Sequence, residues 1–296
     1  MRGNWMIESI LREYRYKLLL TYSLYALEML GLLLRPWLLG EAVNGLLQQS
    51  YNGLLNLALV HAAWLLIGTW RHRYDSRTYS EIYTALVVKM VKRNPNRKLS
   101  RLSAHSTLSR DVVDFLEFDL NYIIEAAYNI LGALILLFFY DTRVVLLCMA
   151  MLLPVTIISY FYGKRLRRFT ALRNEELEQQ VDALSSRNIL RIQTHYNQLR
   201  KWQVKISDQE AWNFGVMEFI VLILIIAALL ISVHQGSAFL QPGDYIGIYT
   251  YILKFVTGLD TIPYVLQRMT HLKDILQRVQ QEHDETETEP AFSSVA

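Results

Sequence analysis

The sequence predicts an all-α membrane protein with six transmembrane helices and long helical extensions on the cytoplasmic side. Three observations predict this class: apolar windows of membrane-spanning length, a strict alternation of basic and non-basic connections, and helical periodicity inside the basic connections. Of the 296 residues, 52% are hydrophobic and 19% are charged. A transmembrane helix needs about 20 mostly apolar residues. Windows of this kind cover residues 18–34, 54–70, 122–140, 144–162, 214–233 and 245–265.

The six windows differ in strength. The fifth contains the longest apolar run, FIVLILIIAALLISV, and predicts a span by composition alone. The second and sixth are weaker because each carries polar or charged side chains, His61 in the second and Lys254 and Asp260 in the sixth. Their assignment as spans therefore depends on the charges of the connections as well as on hydropathy.

Lysine and arginine are concentrated in alternate connections. Four precede the first window, ten lie between the second and third, ten lie between the fourth and fifth, and three follow the sixth, which accounts for 27 of the 30. Basic connections stay on the cytoplasmic side of a membrane. The pattern predicts six spans with both termini cytoplasmic, in a bacterial inner membrane. A nucleic-acid-binding protein would also carry basic blocks, but it would leave the six windows unexplained, so we expect no nucleic-acid partner.

The two long basic connections have the pattern of helices. In YSEIYTALVVKMVKR the apolar residues Ile82, Leu86, Val87 and Met90 form one helical stripe. No proline occurs between Pro154 and Pro242. We therefore expect the transmembrane helices to continue into the cytoplasm as rods, with an apolar face packed on a neighbouring helix and a basic face in water.

The remaining composition excludes several classes of protein. The single cysteine, Cys148, cannot form a disulfide within the chain, and no Cys/His metal spacing or cofactor-binding loop occurs. We therefore expect no metal, no cofactor and no enzyme activity. Glu8 and Glu13 precede the first window and no cleavage site follows it, so we expect a retained helix rather than a signal peptide. Residues 281–296 are acidic and polar, which predicts a disordered tail.

Four segments resemble the transmembrane domain of ABC exporters. RPWLLGEAVNGLL resembles the outer end of that family's first helix, with Asn44 in place of an aspartate. STLSRDVVDFLEF resembles the segment after the first coupling helix, and NILRIQTHYNQLRKW resembles part of the fifth helix without its glycine. LQPGDYIGIYTYILKFVTGLDTIPYVLQRMTHLKDILQRV resembles the sixth helix. The resemblance covers residues 10–280 and implies one six-helix domain over residues 1–280.

The sequence departs from this family after the sixth window. In an exporter half-transporter an ATPase domain follows the sixth helix, whereas about thirty residues follow window six here. No GxxxxGK[ST] loop or LSGGQ-like signature occurs, and the one Gly-Lys pair, at Gly163 and Lys164, lacks the upstream glycine. We therefore expect a transmembrane unit without an ATPase of its own.

The resemblance also implies an assembly. It implies a homodimer in which helices four and five are exchanged between the two chains around a central path. It places two coupling turns at the cytoplasmic ends of the helices, where a separate ATPase subunit would bind. The candidate residues of these turns are Ser103, His105, Arg110, Ser185 and Arg187.

Ionisable residues inside the windows are candidates for a translocation path, because each costs about 2.5–3.5 kcal/mol on insertion scales. Glu28 is the deepest in window one, and Arg35, further along the same helix face, is its candidate structural partner. Glu125 and Asn129 lie in window three on a stripe that would suit a cavity wall or a helix–helix contact. His61 in window two would titrate near neutral pH or bond to a neighbouring helix.

Window six contributes two further path candidates, Lys254 and Asp260, which are six residues apart and do not share a face. Tyr245, Tyr249 and Tyr251 precede them. Tyrosines near the end of a span are typical of anchors at the membrane interface, and we expect that role for these three.

Three functions fit these observations. The first is a transporter that moves an unidentified solute, either with a separate ATPase subunit or by coupling to protons or other ions. The second is an ion channel or passive pore on the same fold. The third is a regulatory or assembly partner of another membrane protein, without transport of its own.

Overall fold

The computed structural model describes residues 10–93, 99–234 and 240–288, and these residues contain no β-strand. The helices run almost end to end along the chain. They are α1 (Arg15–Leu47), α2 (Asn52–Arg93), α3 (Leu99–Asp114), α4 (Leu120–Ala127), α5 (Ala133–Tyr140), α6 (Thr142–Glu178), α7 (Gln180–Ser185), α8 (Ile189–His234) and α9 (Pro242–Thr288).

The prediction that the apolar helices continue into the basic segments is confirmed for α2 and α8. α2 passes without interruption from the apolar window at 54–70 into the basic segment that follows it, over 42 residues. α8 runs in the other direction, from a basic segment into the strongest apolar window, over 46 residues. Each of these helices therefore contains both an apolar segment and a basic segment without a break in the helix.

Five helices of the described chain are long and apolar enough to cross a membrane. They contain windows one to five, which confirms an all-α membrane protein. α9 is the longest helix, with 47 residues, but it is not among the five. Its apolar stretch is interrupted by Lys254, Asp260 and several tyrosines. The sixth span therefore stays a prediction.

The third apolar window is helical but not uniformly α-helical. Two π-helical turns, Phe115–Asp119 and Tyr128–Gly132, separate α3, α4 and α5. A π turn inserts one extra residue into the helix and rotates the side chains that follow it, and such turns are frequent at functional sites. Both turns lie at contacts with other helices, as described below.

The chain divides into two units. The first comprises residues 1–136 and 240–296, so it contains α1, α2, α9 and the helices of window three. α1 and α2 run antiparallel, and the start of α1 and the basic segment of α2 share an apolar core with the end of α3 and the first π turn. Ile82 and Leu86 of the predicted stripe belong to this core and are buried, as the helical periodicity indicated.

The second unit comprises residues 137–239 and consists mainly of α6 and α8, packed as a hairpin. Its membrane half buries Cys148, Leu224 and Ala228. In its cytoplasmic half Phe169 and Trp202 stack with ring centroids 6.3 Å apart. The turn between the two helices contains Arg187, whose φ of 49° is the left-handed conformation that often ends a helix.

The last helix of the described chain extends into the acidic tail. α9 continues to Thr288, eight residues into the segment 281–296 that was expected to be disordered. Residues 281–288 contain Gln and Glu, which favour helices, and the first proline after them is Pro290. The positions after Thr288 lie outside the described residues.

α1 and α9 meet closely at their ends near the α1–α2 loop. A Cβ on Gly40 would lie 2.6 Å from the carbonyl oxygen of Gly243, so the two backbones touch there. The Gly243 amide donates to Asn44 Oδ1 at 2.7 Å, and Asn44 Nδ2 donates to Asp244 Oδ1 at 3.1 Å. Asn44 therefore connects α1 to the first turn of α9.

Candidate functional site

A buried chain of charges joins α1 and α2. Arg71 Nε lies 2.5 Å from Glu28 Oε2, and Arg71 Nη1 lies 2.5 Å from Asp75 Oδ2. The side chain of Arg71 is 14% exposed, that of Glu28 is 13% exposed and that of Asp75 is 7% exposed. Charges removed from water persist in a fold when they are paired. The two carboxylates hold one guanidinium between them.

The partner of Glu28 differs from the one expected. Arg35, two turns along the same helix, bonds instead to His61 Nδ1 of α2 at 2.5 Å and lies 4.0 Å from the centre of the Trp64 ring. The register of the two antiparallel helices explains the difference, because Glu28 contacts Gly68 and lies level with Arg71. His61 therefore bonds to a neighbouring helix, which was one of the two roles considered for it.

A cavity of about 280 Å³ lies beside this charge chain. It is enclosed by α1, α2 and the segment from the first π turn into α4. Its charged and polar lining comprises Arg71, His72, Asp75, Glu117, Asn121 and Glu125. Three carboxylates and one guanidinium face the same space, so the lining carries an excess of negative charge.

Three tyrosines fix the first π turn and the start of α4, which form the third side of the cavity. Tyr22 of α1 and Tyr79 of α2 both donate to the carbonyl oxygen of Leu116, at 3.0 and 3.1 Å. Tyr25 donates to the carbonyl oxygen of Asn121 at 3.1 Å and stacks 4.8 Å from the Arg71 guanidinium. These bonds anchor the π turn, which presents Glu117 to the cavity, and the start of α4, which presents Asn121.

The stripe that contains Glu125 and Asn129 divides at the second π turn. Glu125, below the turn, lines the cavity. Asn129 and Ile130, inside the turn, lie against Gly258 of α9, and Gly132 lies against Leu33 of α1. The structure thus places Glu125 at the cavity and Asn129 in helix packing, whereas the sequence put them on one face.

α9 is held on α1 by Tyr251. Its hydroxyl donates to the Leu33 carbonyl oxygen at 2.9 Å and accepts from the Trp37 amide at 3.2 Å. Leu33 and Trp37 are four residues apart and flank Pro36, which has no amide to donate. Tyr251 is fully buried, so it is a packing residue and not the interface anchor that the sequence suggested.

The two window-six candidates lie in different surroundings. Lys254 is half-buried, and its charge lies within electrostatic range of Glu125 and Arg35. Asp260 lies on the exposed side of α9. The structure therefore brings Lys254 towards the cavity residue Glu125 and keeps Asp260 away from it.

A further carboxylate, Asp119, was missed by the sequence interpretation. It is buried in the first π turn, accepts from the Tyr264 hydroxyl at 3.5 Å and forms an ion pair with Arg268 Nε at 3.3 Å. The hydrogen bond to Tyr264 and the charge of Asp119 raise the pKa of Arg268. It ties α9 to the π turn.

The coupling-turn candidates separate into three groups. The side chains of Ser103 and His105 lie outside the described residues. Arg110 pairs with Asp114 at 2.8 Å and stacks on Tyr83, so it packs within the first unit. Ser185 Oγ donates to the Asp182 carbonyl oxygen, and Arg187 adopts the left-handed conformation, so both shape the α7–α8 turn.

The α7–α8 turn and the residues beside it expose apolar side chains. Val181, Ile189 and Leu190 are 75%, 82% and 73% exposed. Asn188 caps α8 by accepting from the amides of Leu190 and Arg191. The turn is therefore well ordered by its own hydrogen bonds and still presents an apolar tip.

Within the described residues, no group of three or more His, Cys, Asp or Glu side chains is arranged to hold a metal ion. The cavity carboxylates have separate basic neighbours: Asp75 pairs with Arg71, Glu117 lies 3.9 Å from Arg110, and Glu125 lies within electrostatic range of Lys254. The charges at this site are therefore those of its ionisable side chains.

Long apolar helices that enclose a charged cavity define an integral membrane protein with a transporter-type fold. The model of the family described as ABC transporter transmembrane region matches residues 7–238, and the chain belongs to this family. The match ends before α9. No curated protein matches the chain.

Proposed function

We propose that this chain is the membrane-spanning unit of a transporter and that the acidic cavity beside Arg71 is part of its solute path. The observation that carries the proposal is the cavity itself. It places Asp75, Glu117 and Glu125 around one space at the end of the apolar windows. Ionisable groups in such positions are costly and are commonly retained for transport or proton relay.

The charge of the lining favours a cationic solute or a proton. The carboxylates outnumber Arg71, and Arg71 is already shared between Glu28 and Asp75. A cation that enters the cavity gains attraction from Glu117 and Glu125, whose own basic neighbours are Arg110 at 3.9 Å from Glu117 and Lys254 within electrostatic range of Glu125. An anion would meet net repulsion.

Ion coupling is the first candidate for the energy source. Glu125 lies at the cavity, and Lys254 of α9 lies within its electrostatic range. Protonation of Glu125 would remove an attraction between α4 and α9. Proton binding would thereby change the relative stability of two arrangements of these helices, which is the requirement for coupling.

A separate ATPase subunit is the second candidate, favoured by the α7–α8 turn. Its exposed Val181, Ile189 and Leu190 offer an apolar contact for a cytoplasmic protein. Exposed apolar patches with a polar surround are typical of protein interaction sites. The cavity would serve the same solute path with either energy source.

We further propose a homodimer in a bacterial inner membrane, with both termini cytoplasmic and six spans per chain. The alternation of basic connections supports this orientation. The separation of α6 and α8 as a unit of their own supports an exchange of these helices between two chains. Light scattering of the purified chain in detergent would give two copies, and a monomer would contradict this.

Flux into sealed proteoliposomes that hold the purified chain tests the proposed path. Ethidium serves as an organic-cation probe and an internal pH-sensitive dye reports protons, with and without an imposed pH gradient or voltage. We expect movement of the cation or of protons. Glu125→Gln should lower the rate of this movement about tenfold or more, which corresponds to the free energy of one hydrogen bond to a charged group. Glu41→Gln, on an exposed carboxylate of α1, is the matched control.

The outcomes separate the candidates. Movement that requires the pH gradient supports proton coupling, and movement that follows any gradient indicates a channel. Movement that begins only when an ATPase is added, and that Leu190→Ser abolishes, supports docking at the α7–α8 turn. Equal loss with Glu125→Gln and Glu41→Gln would contradict the proposed path.

A further inference from the structure

A second cavity lies between α6 and α8, where the two helices leave the membrane. Its volume is about 540 Å³. α6 contributes Ile158, Phe161, Tyr162 and Arg165, which are spaced as i, i+3, i+4 and i+7. This spacing defines one face of the helix, the face that would normally pack on its neighbour.

α8 contributes the complementary face, with Gln209, Trp212, Asn213 and Val216 at the same spacing. The helices are in contact on both sides of the cavity. Cys148 and Leu224 are buried on the membrane side, and Phe169 stacks on Trp202 on the cytoplasmic side. The cavity is therefore a local separation within a packed hairpin, and not a frayed end.

The lining changes in polarity along the membrane normal. Ile158 and Val216 lie at the end that faces the apolar windows, and Arg165 and Gln209 lie at the end that faces the basic segments. Tyr162 and Trp212 lie between them. A phospholipid has the same order of acyl chain, interface and headgroup.

The polar end of the cavity carries positive charge. Arg165 is its one charged lining residue, and Lys164, Arg167 and Arg168 lie beside it on the same helix. Glu210 of α8, next to the lining residue Gln209, lies within electrostatic range of Tyr162. Basic pockets between transmembrane helices at a membrane face bind anionic lipid headgroups.

One lining atom lacks a protein partner. Asn213 Oδ1 is buried, and no side chain or backbone group that the structure describes bonds to it. A buried unsatisfied acceptor costs about 1–3 kcal/mol. A headgroup hydroxyl, such as that of a glycerol headgroup, would donate to this atom while the phosphate lies at Arg165.

We propose that this cavity between α6 and α8 binds an anionic phospholipid, with the phosphate at Arg165, the headgroup at Asn213 and the acyl chains along Ile158 and Val216. The site is distinct from the acidic cavity of the first unit. It does not depend on the proposed solute path, because it would hold a structural lipid in a protein of any of the three functions.

The test uses the full chain purified from bilayers that contain phosphatidylglycerol and phosphatidylcholine. Native mass spectrometry counts the phospholipids that each copy retains. Arg165→Gln should lower the affinity for phosphatidylglycerol about fivefold, the value of one basic residue at an anionic membrane surface. Arg167→Gln removes the same charge from the other side of α6 and should leave the affinity unchanged.

A second readout locates the lipid. Phosphatidylglycerol with brominated chains should quench the fluorescence of the protein more than that of Trp212→Phe, because Trp212 lines the cavity. Equal losses for Arg165→Gln and Arg167→Gln would indicate a diffuse basic surface and would overturn the proposal. Retention of phosphatidylcholine at the same level as phosphatidylglycerol would also overturn it.

Discussion

Arg71 of α2 lies 2.5 Å from Glu28 of α1, and Arg71 lines the acidic cavity. The same guanidinium reaches Asp75 on its own helix, which also lines the cavity. The three residues join α1 and α2 by charge inside an otherwise apolar region. The rest of the lining carries Glu117, which lies 3.9 Å from Arg110 Nη2, and Glu125, which lies within electrostatic range of Lys254.

Removal of Arg71 should destabilise the first unit strongly. Arg71→Gln leaves Glu28 and Asp75 buried without their cation, and we expect a loss of about 3–5 kcal/mol in the free energy of unfolding. Glu28→Gln should cost less, because Asp75 still compensates Arg71. Denaturant unfolding in detergent, followed by circular dichroism, measures both. Arg77→Gln, on an exposed arginine of α2, is the control, and a loss equal to that of Arg71→Gln would contradict the proposed role of the pair.

The double variant adds a sharper test of the same wall. Glu28→Gln combined with Arg71→Gln should lose less stability than the sum of the two single variants, with an interaction energy of about 0.5–3 kcal/mol. Additive losses would show that Glu28 and Arg71 act independently and that the short contact has no energetic role.

Tyr251→Phe should weaken the attachment of α9 to α1. The substitution removes the hydroxyl that bonds to Leu33 and Trp37, at a site without water. We expect a loss of about 1–3 kcal/mol in thermal or denaturant unfolding. Tyr249→Phe removes a hydroxyl from an exposed tyrosine two residues away and should change stability little. Equal effects of the two variants would contradict the packing role and would favour Tyr251 as an anchor at the membrane interface.

Asn44→Asp should create a pH-dependent defect at the contact between α1 and α9. A carboxylate at position 44 would face Asp244 Oδ1 in place of the donated amide hydrogen. Repulsion raises the folded-state pKa of the pair above its unfolded value, so the folded state is penalised at neutral pH and recovers as the pH falls through that raised pKa. Thermal unfolding across pH measures this.

The exchanged pair supplies the control for that experiment. Asn44→Asp with Asp244→Asn restores one amide and one carboxylate and should recover stability at neutral pH. A single variant whose stability does not depend on pH, or an exchange that recovers nothing, would contradict the proposed contact between Asn44 and Asp244.

Gly40→Ala should disturb the same contact by steric means. The added Cβ would lie 2.6 Å from the Gly243 carbonyl oxygen, and a backbone atom cannot move aside as a flexible side chain can. We expect a loss of stability, whereas Gly163→Ala, with no atom within 4 Å of its Cβ, should gain up to about 1 kcal/mol from lower backbone entropy. Differential scanning fluorimetry compares them. A gain for both would show that α1 and α9 are not in contact there.

Much of the fold was predictable because the bilayer imposes simple rules. Span length and helical periodicity predicted the apolar helices of windows one to five and their continuation into the basic segments, which the structure confirms. The partner of Glu28 was not predictable, because Arg71 is 43 positions away. That pairing depends on the register of α1 against α2, and glycine contacts such as Gly68 on Glu28 set the register.

The π turns account for the other differences at the site. A stripe drawn with a period of 3.6 residues puts Glu125 and Asn129 on one face, but the turn at Tyr128–Gly132 separates them. No residue type in this segment signals the extra residue. Tyr251 was misassigned for a related reason, since its position in the window fits an interface anchor and only the packing on α1 shows that it is buried.

Selective chemical access to the cavity tests the central claim most directly. Ser76→Cys in a Cys148→Ser background places a thiol in the lining and leaves every carboxylate in place. Ser50→Cys, in the α1–α2 loop, reports the rates outside the cavity. We measure the reaction of each thiol in bilayers with a cationic and an anionic thiosulfonate of equal size. We predict that the cationic reagent reacts faster than the anionic reagent at position 76. The ratio of these two rates should be higher at position 76 than at position 50. No reaction at position 76, or faster reaction with the anionic reagent, would contradict an acidic, water-filled solute path.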